Sequence, residues 1–497
     1  MKKISLVFIL LFTALIFRGQ VVLTEGCKQA YNDILALKFG DARFQLEVEK
    51  NANPDNTYII YLENYIDFLT LFIGENEDDF DFLESNKSER IEQISKLSDD
   101  SPYKKYMLGN IHLQWAVARL KFGEYFTAAF EINKAYRLLE ANSHDFPEFV
   151  PNGISLGVLH ILIGMVPDKY QWILNLISMR GNVEQGRAEL SAVLQKSKAE
   201  PAFAYLRNET LFYLGFVEIN ISPDKKQALD LLTQLDEAKQ DNLLLSYLVI
   251  NILIKTGQNE KALNEFDRIE NRTGFFPFHY LDYLNGECLL NKLETNAARE
   301  KYKLFLENFS GKNYLKDAWR KTAWTFLLNG DTLACFRTLK QISEVGNDDI
   351  DLDKQAEREA KNDGLLPNID LLKVRLLFDG GYYSKADSVL DKIDFTYLST
   401  DQKLECYYRK ARIADESGSV ESAKAAYLQT IENGKNSQRY FAGNAALKLA
   451  GIYESEGDLE QAEYFYRTCL KMNFTEYETS IHSKAKAGLK RVVEKQG

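Results

Sequence analysis

The chain is 497 residues long, enough for two or three ordinary domains, yet it holds only nine prolines and no Ser/Gly-rich linker, which favours one continuous repeat array. Its formal charge of −11 excludes a protein that tracks a nucleic-acid backbone, since that needs a basic face and no Lys/Arg run supplies one.

At the start of the chain, Lys2-Lys3 precede an apolar run from Ile4 to Phe17, closed by Arg18-Gly19-Gln20. Fourteen positions of helix span roughly 21 Å, short of the roughly 30 Å hydrocarbon core. Residues 1–20 therefore read as a secretory signal peptide. Its removal takes three positive charges, leaves the chain near −14, and places it in the periplasm or outer-membrane-associated envelope of a Gram-negative-type bacterium. A retained anchor is one alternative and a lipid on Cys27 another, although Leu23-Thr24-Glu25-Gly26 does not form a lipobox.

Residues 21–140 read as degenerate helical repeats, with a weak pair at 27–50 and a better unit at 110–137. Acidic residues cluster from Glu75 to Asp81. Residues 141–204 differ: Ile154 to Val166 is thirteen mostly apolar residues, a break follows at Pro167-Asp168, and a second apolar run covers Tyr170 to Ser178. That length suits a buried helix and not a membrane span. The segment reads as an apolar helical hairpin inserted in the array, with peripheral contact to a membrane or an integral partner as its functional alternative.

A single spacing dominates the remainder, 205–497, where 205–235 is again degenerate. A glycine is followed five residues later by a small residue and four residues after that by a bulky apolar one: Gly257/Ala262/Phe266, Gly330/Cys335/Leu339, Gly381/Ala386/Leu390, Gly418/Ala423/Tyr427 and Gly457/Ala462/Tyr466, with Gly123/Ala128/Ile132 upstream. Glycine suits the turn between antiparallel helices, the small residue their closest crossing, and the bulky residue the core one turn on. The anchors Ala262, Ala298, Cys335, Ala386, Ala423 and Ala462 lie 36, 37, 51, 37 and 39 residues apart.

This period, with Leu449-Ala450-Gly451-Ile452-Tyr453 and then Ala462 and Tyr466, resembles the tetratricopeptide repeat family. The resemblance implies an all-α, right-handed superhelical solenoid of helical hairpins that binds a partner in a concave groove. Around residues 105–195 the chain is also loosely similar to the tetratricopeptide family associated with the mitochondrial outer membrane and inclusion clearance, which implies a scaffold near a membrane.

No chemistry-bearing motif competes with this reading. The five histidines are dispersed, and no phosphate loop or nucleophile elbow is present. Asp349, Asp351 and Asp353 alternate as in a calcium loop, but Lys354 and Ala360 occupy its glycine and glutamate positions. This stretch reads instead as a solvated loop that fills the 51-residue interval. Cys335 and Cys469 fall at small core positions, so the cysteines read as buried thiols. The expectation is a non-enzymatic protein-interaction scaffold with no metal and no cofactor. The alternatives are a glycan- or ligand-binding envelope module and an accessory subunit of an envelope enzyme or membrane complex.

First-helix residues pointing away from the second helix would line the groove: Tyr247 and Asn251; Tyr280, Tyr283 and Glu287; Arg320 and Trp324; Leu371 and Arg375; Tyr408 and Arg412. Tyr, Trp and Arg dominate binding hot spots, and arginine forks match carboxylates. Truncating Trp324, Arg375 and Tyr408 together is then expected to abolish binding without unfolding the chain.

Overall fold

The turn glycines set the architecture. Gly123, Gly257, Gly330, Gly381, Gly418 and Gly457 all have φ between 72° and 84°, the left-handed region where a side chain is costly. The same turn occurs twice without glycine, at Leu37 and Leu293, with φ of 65° and 66°. Leu37/Ala42/Leu46 and Leu293/Ala298/Tyr302 keep the spacing, so both are repeats that a search for glycine overlooks. Gly381 carries a second constraint, because an added Cβ would run into the backbone carbonyl of Gly257.

The computed structural model describes residues 20–166, 179–221, 225–271, 273–361 and 366–496. The signal peptide expected at 1–20 lies outside the described residues but for Gln20, as does the 167–178 half of the apolar segment with Trp172. Among the described residues the chain is an all-α, tetratricopeptide-like array, apart from one isolated bridge between Gln20 and Asn56. Contacts divide it into two units, Met1–Val249 with Asn271–Phe278, and Ile250–Glu270 with His279–Gly497.

Unit 1 holds α1 (Glu25–Leu35), α2 (Phe39–Ala52), α3 (Tyr58–Gly74), α4 (Glu77–Ser95), α5 (Pro102–Lys121), α6 (Tyr125–Asp145), α7 (Asn152–Gly164), α8 (Val183–Ala199), α9 (Arg207–Phe216) and α10 (Lys225–Ala238). The acidic run at 75–81 starts α4: the Asn76 side chain accepts the Asp79 N–H at 3.1 Å, and Glu77, Asp78 and Asp79 fill a first turn that favours negative charge. The apolar helix α7 and the charged, amphipathic α8 cross at Gly157 and Gly186, where any Cβ would meet the facing backbone. Most of α7 is buried, so its apolar run is spent on internal packing. Residues 205–249, grouped by their sequence with the C-terminal array, pack in unit 1 instead, through Tyr205 against Tyr31 (5.7 Å between rings) and Glu209.

α11 (Leu243–Lys255) is divided between the units. Unit 2 continues with α12 (Asn259–Arg268), α13 (Tyr280–Asn291), α14 (Thr295–Asn308), α15 (Leu315–Leu328), α16 (Thr332–Leu339), α17 (Asp351–Ala360), α18 (Ile369–Asp379), α19 (Tyr383–Leu390), α20 (Thr400–Glu416), α21 (Val420–Gly434), α22 (Phe441–Glu456), α23 (Leu459–Lys471) and α24 (Glu478–Gln496). The 51-residue interval is not a solvated loop, because it contains α17. Asp353 on that helix is fully buried and accepts the backbone N–H groups of Tyr314 (2.7 Å) and Asp317 (2.9 Å), so it caps the start of α15.

Every small anchor from Ala42 to Ala462 is fully buried, and all five cysteines are buried and unpaired. Ala462→Leu is therefore expected to cost about 2 kcal/mol or more, since a crossing this tight has no room for a larger side chain. Glu460→Leu on the exposed side of the same helix should be near neutral. Urea denaturation of both variants checks this, and equal midpoints would show that the crossing is looser than its burial implies.

Candidate functional site

The residues singled out in the sequence fall on successive first helices, but they are not equivalent. Tyr247 belongs to unit 1, where its ring lies 5.0 Å from Phe278. In unit 2, Asn251, Tyr280, Glu287, Arg375 and Arg412 are partly exposed, whereas Leu371, Tyr283, Arg320, Trp324 and Tyr408 are buried. With Trp324 only 2% and Tyr408 only 1% exposed, the triple alanine variant would open the core and cannot serve as a clean binding test. These buried residues form the floor of the face, and the partly exposed ones form its surface.

Asp317 is the hub of that floor. The Tyr283 hydroxyl donates to its Oδ2 at 2.5 Å, Lys321 Nζ lies 2.7 Å away, and Arg320 pairs with its other oxygen. Burial alone would raise the pKa of Asp317, but the two cations outweigh burial and hold it well below the ordinary carboxylate range. Lys321 also pairs with Glu287, which accepts the Tyr302 hydroxyl at 2.8 Å. Asp353, with no cation so close, has its pKa pushed by burial up to about 6.

Two turns beyond Asp317 on α15, Trp324 Nε1–H donates to Glu359 at 2.6 Å. The Arg320 and Arg375 guanidiniums lie 4.8 and 5.3 Å from the Trp324 ring, within cation–π range. On α20, the Arg412 guanidinium donates to the Tyr408 hydroxyl at 3.0 Å and lies 4.9 Å from the Phe378 ring. Asn444 on α22 donates to the same hydroxyl at 2.7 Å.

Elements of unit 2 that are far apart in the sequence meet beside this face. The Gln355 amide on α17 donates to the Tyr477 hydroxyl just before α24, 122 residues away. Lys484 on α24 lies within electrostatic reach of both Lys255 on α11 and Lys448 on α22. Lys255, Lys321, Asn444, Lys448 and Lys484 were not legible as site residues. Carrying the i, i+4 stripe of Tyr408 and Arg412 one repeat onward reaches Asn444 and Lys448. Glu359 gave no such signal, because its helix stands outside the repeat.

Unit 1 has a polar interior of a different kind. Glu209 is buried and accepts the hydroxyls of Tyr31 and, at 2.5 Å, Tyr65. Its pKa is raised by burial, and the tyrosine hydrogen bonds only partly offset this. His112, also buried, pairs through Nδ1 with Glu131, while its Nε2 has no hydrogen-bond partner among the described residues. Among the described residues no group of three His, Cys, Asp or Glu side chains could hold a metal, and no helix is long and apolar enough to cross a membrane.

No protein-family model and no curated protein sequence matches the chain. Among solved structures it is similar to a monomeric mutant of IFIT1 with Gppp-AAAA, at 13% identity and a TM-score of 0.35, covering 96% of each chain. It is also similar to the P58(IPK) TPR domain, at 14% identity and a TM-score of 0.20, covering 77% of this chain and 98% of that one. Similarities this weak carry no argument; the class, a tetratricopeptide-like helical-repeat protein, rests on the turns, crossings and spacing of the chain itself.

Proposed function

We propose that the chain is a non-enzymatic scaffold of the bacterial cell envelope that holds a protein partner on the concave face of unit 2. One observation carries the reading: partly exposed Tyr280, Arg375 and Arg412 stand on three first helices of unit 2, α13, α18 and α20, whose floor the Asp317 network helps to fix. A preorganised surface spends less binding energy on ordering its side chains, and Arg and Tyr are the residue types that concentrate such energy. Export rests on the Lys-Lys and apolar leader alone.

A Tyr280→Ala, Arg375→Ala, Arg412→Ala variant removes only partly exposed side chains. It is expected to keep its melting temperature to within a few degrees and to lose its partner, which is read by crosslinking capture from intact envelopes beside the wild-type chain. Normal melting with undiminished capture would rule the face out. Peripheral membrane contact is the remaining part of the proposal. Of the described apolar surface, a membrane would meet α6, where Phe126 and Phe130 are 87% and 77% exposed, more readily than the buried face of α7.

A further inference from the structure

Two phenylalanines on α6 are exposed to a degree that internal packing does not explain. Phe126 and Phe130 are 87% and 77% exposed, and the same stripe continues at exposed Lys134 and Arg137, because steps of three or four residues return to one face of a helix. The charges of α6 are sorted about that stripe. Each of its acidic residues is paired with another element: Glu131 with Lys87 and His112, Glu140 with His160 at 3.3 Å, and Asp145 with Lys105. Lys134 and Arg137 make no hydrogen bond or ion pair among the described residues. A third cation stands near them, since the Arg180 backbone N–H donates to the Tyr136 hydroxyl at 3.2 Å and so holds this exposed arginine beside the same stretch of α6.

The neighbouring helix has the opposite character. Arg119 on α5 pairs with both Glu84 on α4 and Glu124 at the start of α6, which fixes these two helices side by side. On α4, Phe82 is exposed together with Asp78, Asp79 and Asp81. The exposed surface of these repeats is therefore aromatic where α4 and α6 meet, acidic at the start of α4 and basic along α6. Exposed apolar side chains gathered in this way mark an interaction surface, and the charges beside them select what can cover it.

We infer that the stripe of Phe126, Phe130, Lys134 and Arg137 on α6 is a docking surface for the anionic headgroup layer of a phospholipid bilayer. The inference rests on the membrane contact proposed above and names its surface and its lipid. Helices that lie on membranes bury phenylalanine at the boundary of headgroups and acyl chains and keep lysine and arginine at the polar level, and each cation close to an anionic surface strengthens the attraction. Protruding rings offer a partner peptide no walls to close on, whereas a fluid bilayer moulds to them. The same headgroups repel the carboxylates of α4, so α6 meets the bilayer and α4 is turned from it.

The test uses the chain from Gln20 onward, because the apolar leader would enter a bilayer by itself. Co-sedimentation with vesicles of equal parts phosphatidylglycerol and phosphatidylcholine is read at about 0.15 M salt, where exposed charges more than about 8 Å apart are screened. Binding is expected, and Lys134→Gln with Arg137→Gln should weaken it at least about tenfold, as should Phe126→Ser with Phe130→Ser. All four side chains are exposed, so these variants should melt with the wild-type chain. The control, Lys471→Gln with Lys486→Gln in unit 2, removes the same charge from exposed positions and should leave binding intact. All native cysteines are buried, so a fluorophore can be placed on Ala129→Cys of α6 or Ser85→Cys of α4, and only the first is expected to report an apolar environment when vesicles are added. No binding, equal weakening by the control pair, or an apolar signal from position 85 alone would each overturn the inference. A dimer in solution that Phe126→Ser with Phe130→Ser abolishes would overturn it by assigning the stripe to a second copy of the chain. Equally strong binding to phosphatidylcholine alone would overturn it and leave membrane contact standing, and partner capture by unit 2, measured separately, decides the scaffold reading whatever the vesicles show.

Discussion

Asp317→Ala is expected to destabilise unit 2 by about 3–5 kcal/mol, because it strands Arg320 and Lys321, both buried, without their shared counter-ion. The Tyr283 hydroxyl loses its acceptor at the same time. Urea denaturation followed by circular dichroism measures the loss, and a midpoint equal to wild type would show that the network contributes nothing to the fold. The network also predicts a pH dependence. The folded pKa of Asp317 lies below its unfolded value near 3.9, so its stabilisation is fully present above about pH 4 and is lost as pH falls through the folded value. Asp317→Asn should flatten that acid limb. Asp353 acts with the opposite sign: its pKa of about 6 means that the fold favours its neutral form, so its contribution declines as pH rises from about 4 to 6.

Trp324→Ala is expected to cost a comparable amount, about 3–5 kcal/mol, from the cavity left by a fully packed indole. Loss of the indole also removes the donor to Glu359, whose pKa burial already raises, and the ring on which Arg320 and Arg375 rest. Trp324→Phe should recover much of the packing but not the hydrogen bond, and Arg375→Ala, which truncates a partly exposed side chain, should cost less than about 1 kcal/mol. Thermal melting of the three variants orders them, and a Trp324→Ala chain that melts with Arg375→Ala would show that the indole is a surface group after all.

The hairpins were legible because their determinants are local. A turn needing positive φ, a crossing needing a small side chain and a core position one turn later all lie within ten residues, so one spacing captures them. Where leucine takes the glycine position, at Leu37 and Leu293, only the glycine mark is lost and the small anchors Ala42 and Ala298 remain; the turn persists because Leu37 is buried and Leu293 packs against a core cluster, which holds each in a conformation its side chain disfavours. α17 escaped for a related reason: the Asp349, Asp351 and Asp353 run has the composition of a loop, and Asp353 becomes a buried cap only because the start of α15 folds over it.

Helix, turn and crossing, and with them the class of fold, were determined by the sequence alone, since each depends on residues within one or two turns of one another. Which groove residues face a partner and which face the core was decided only by tertiary structure. Tyr283, Trp324 and Tyr408 have the sequence character of binding anchors, yet each is buried by a side chain from another element: Lys321, Glu359 and Asn444.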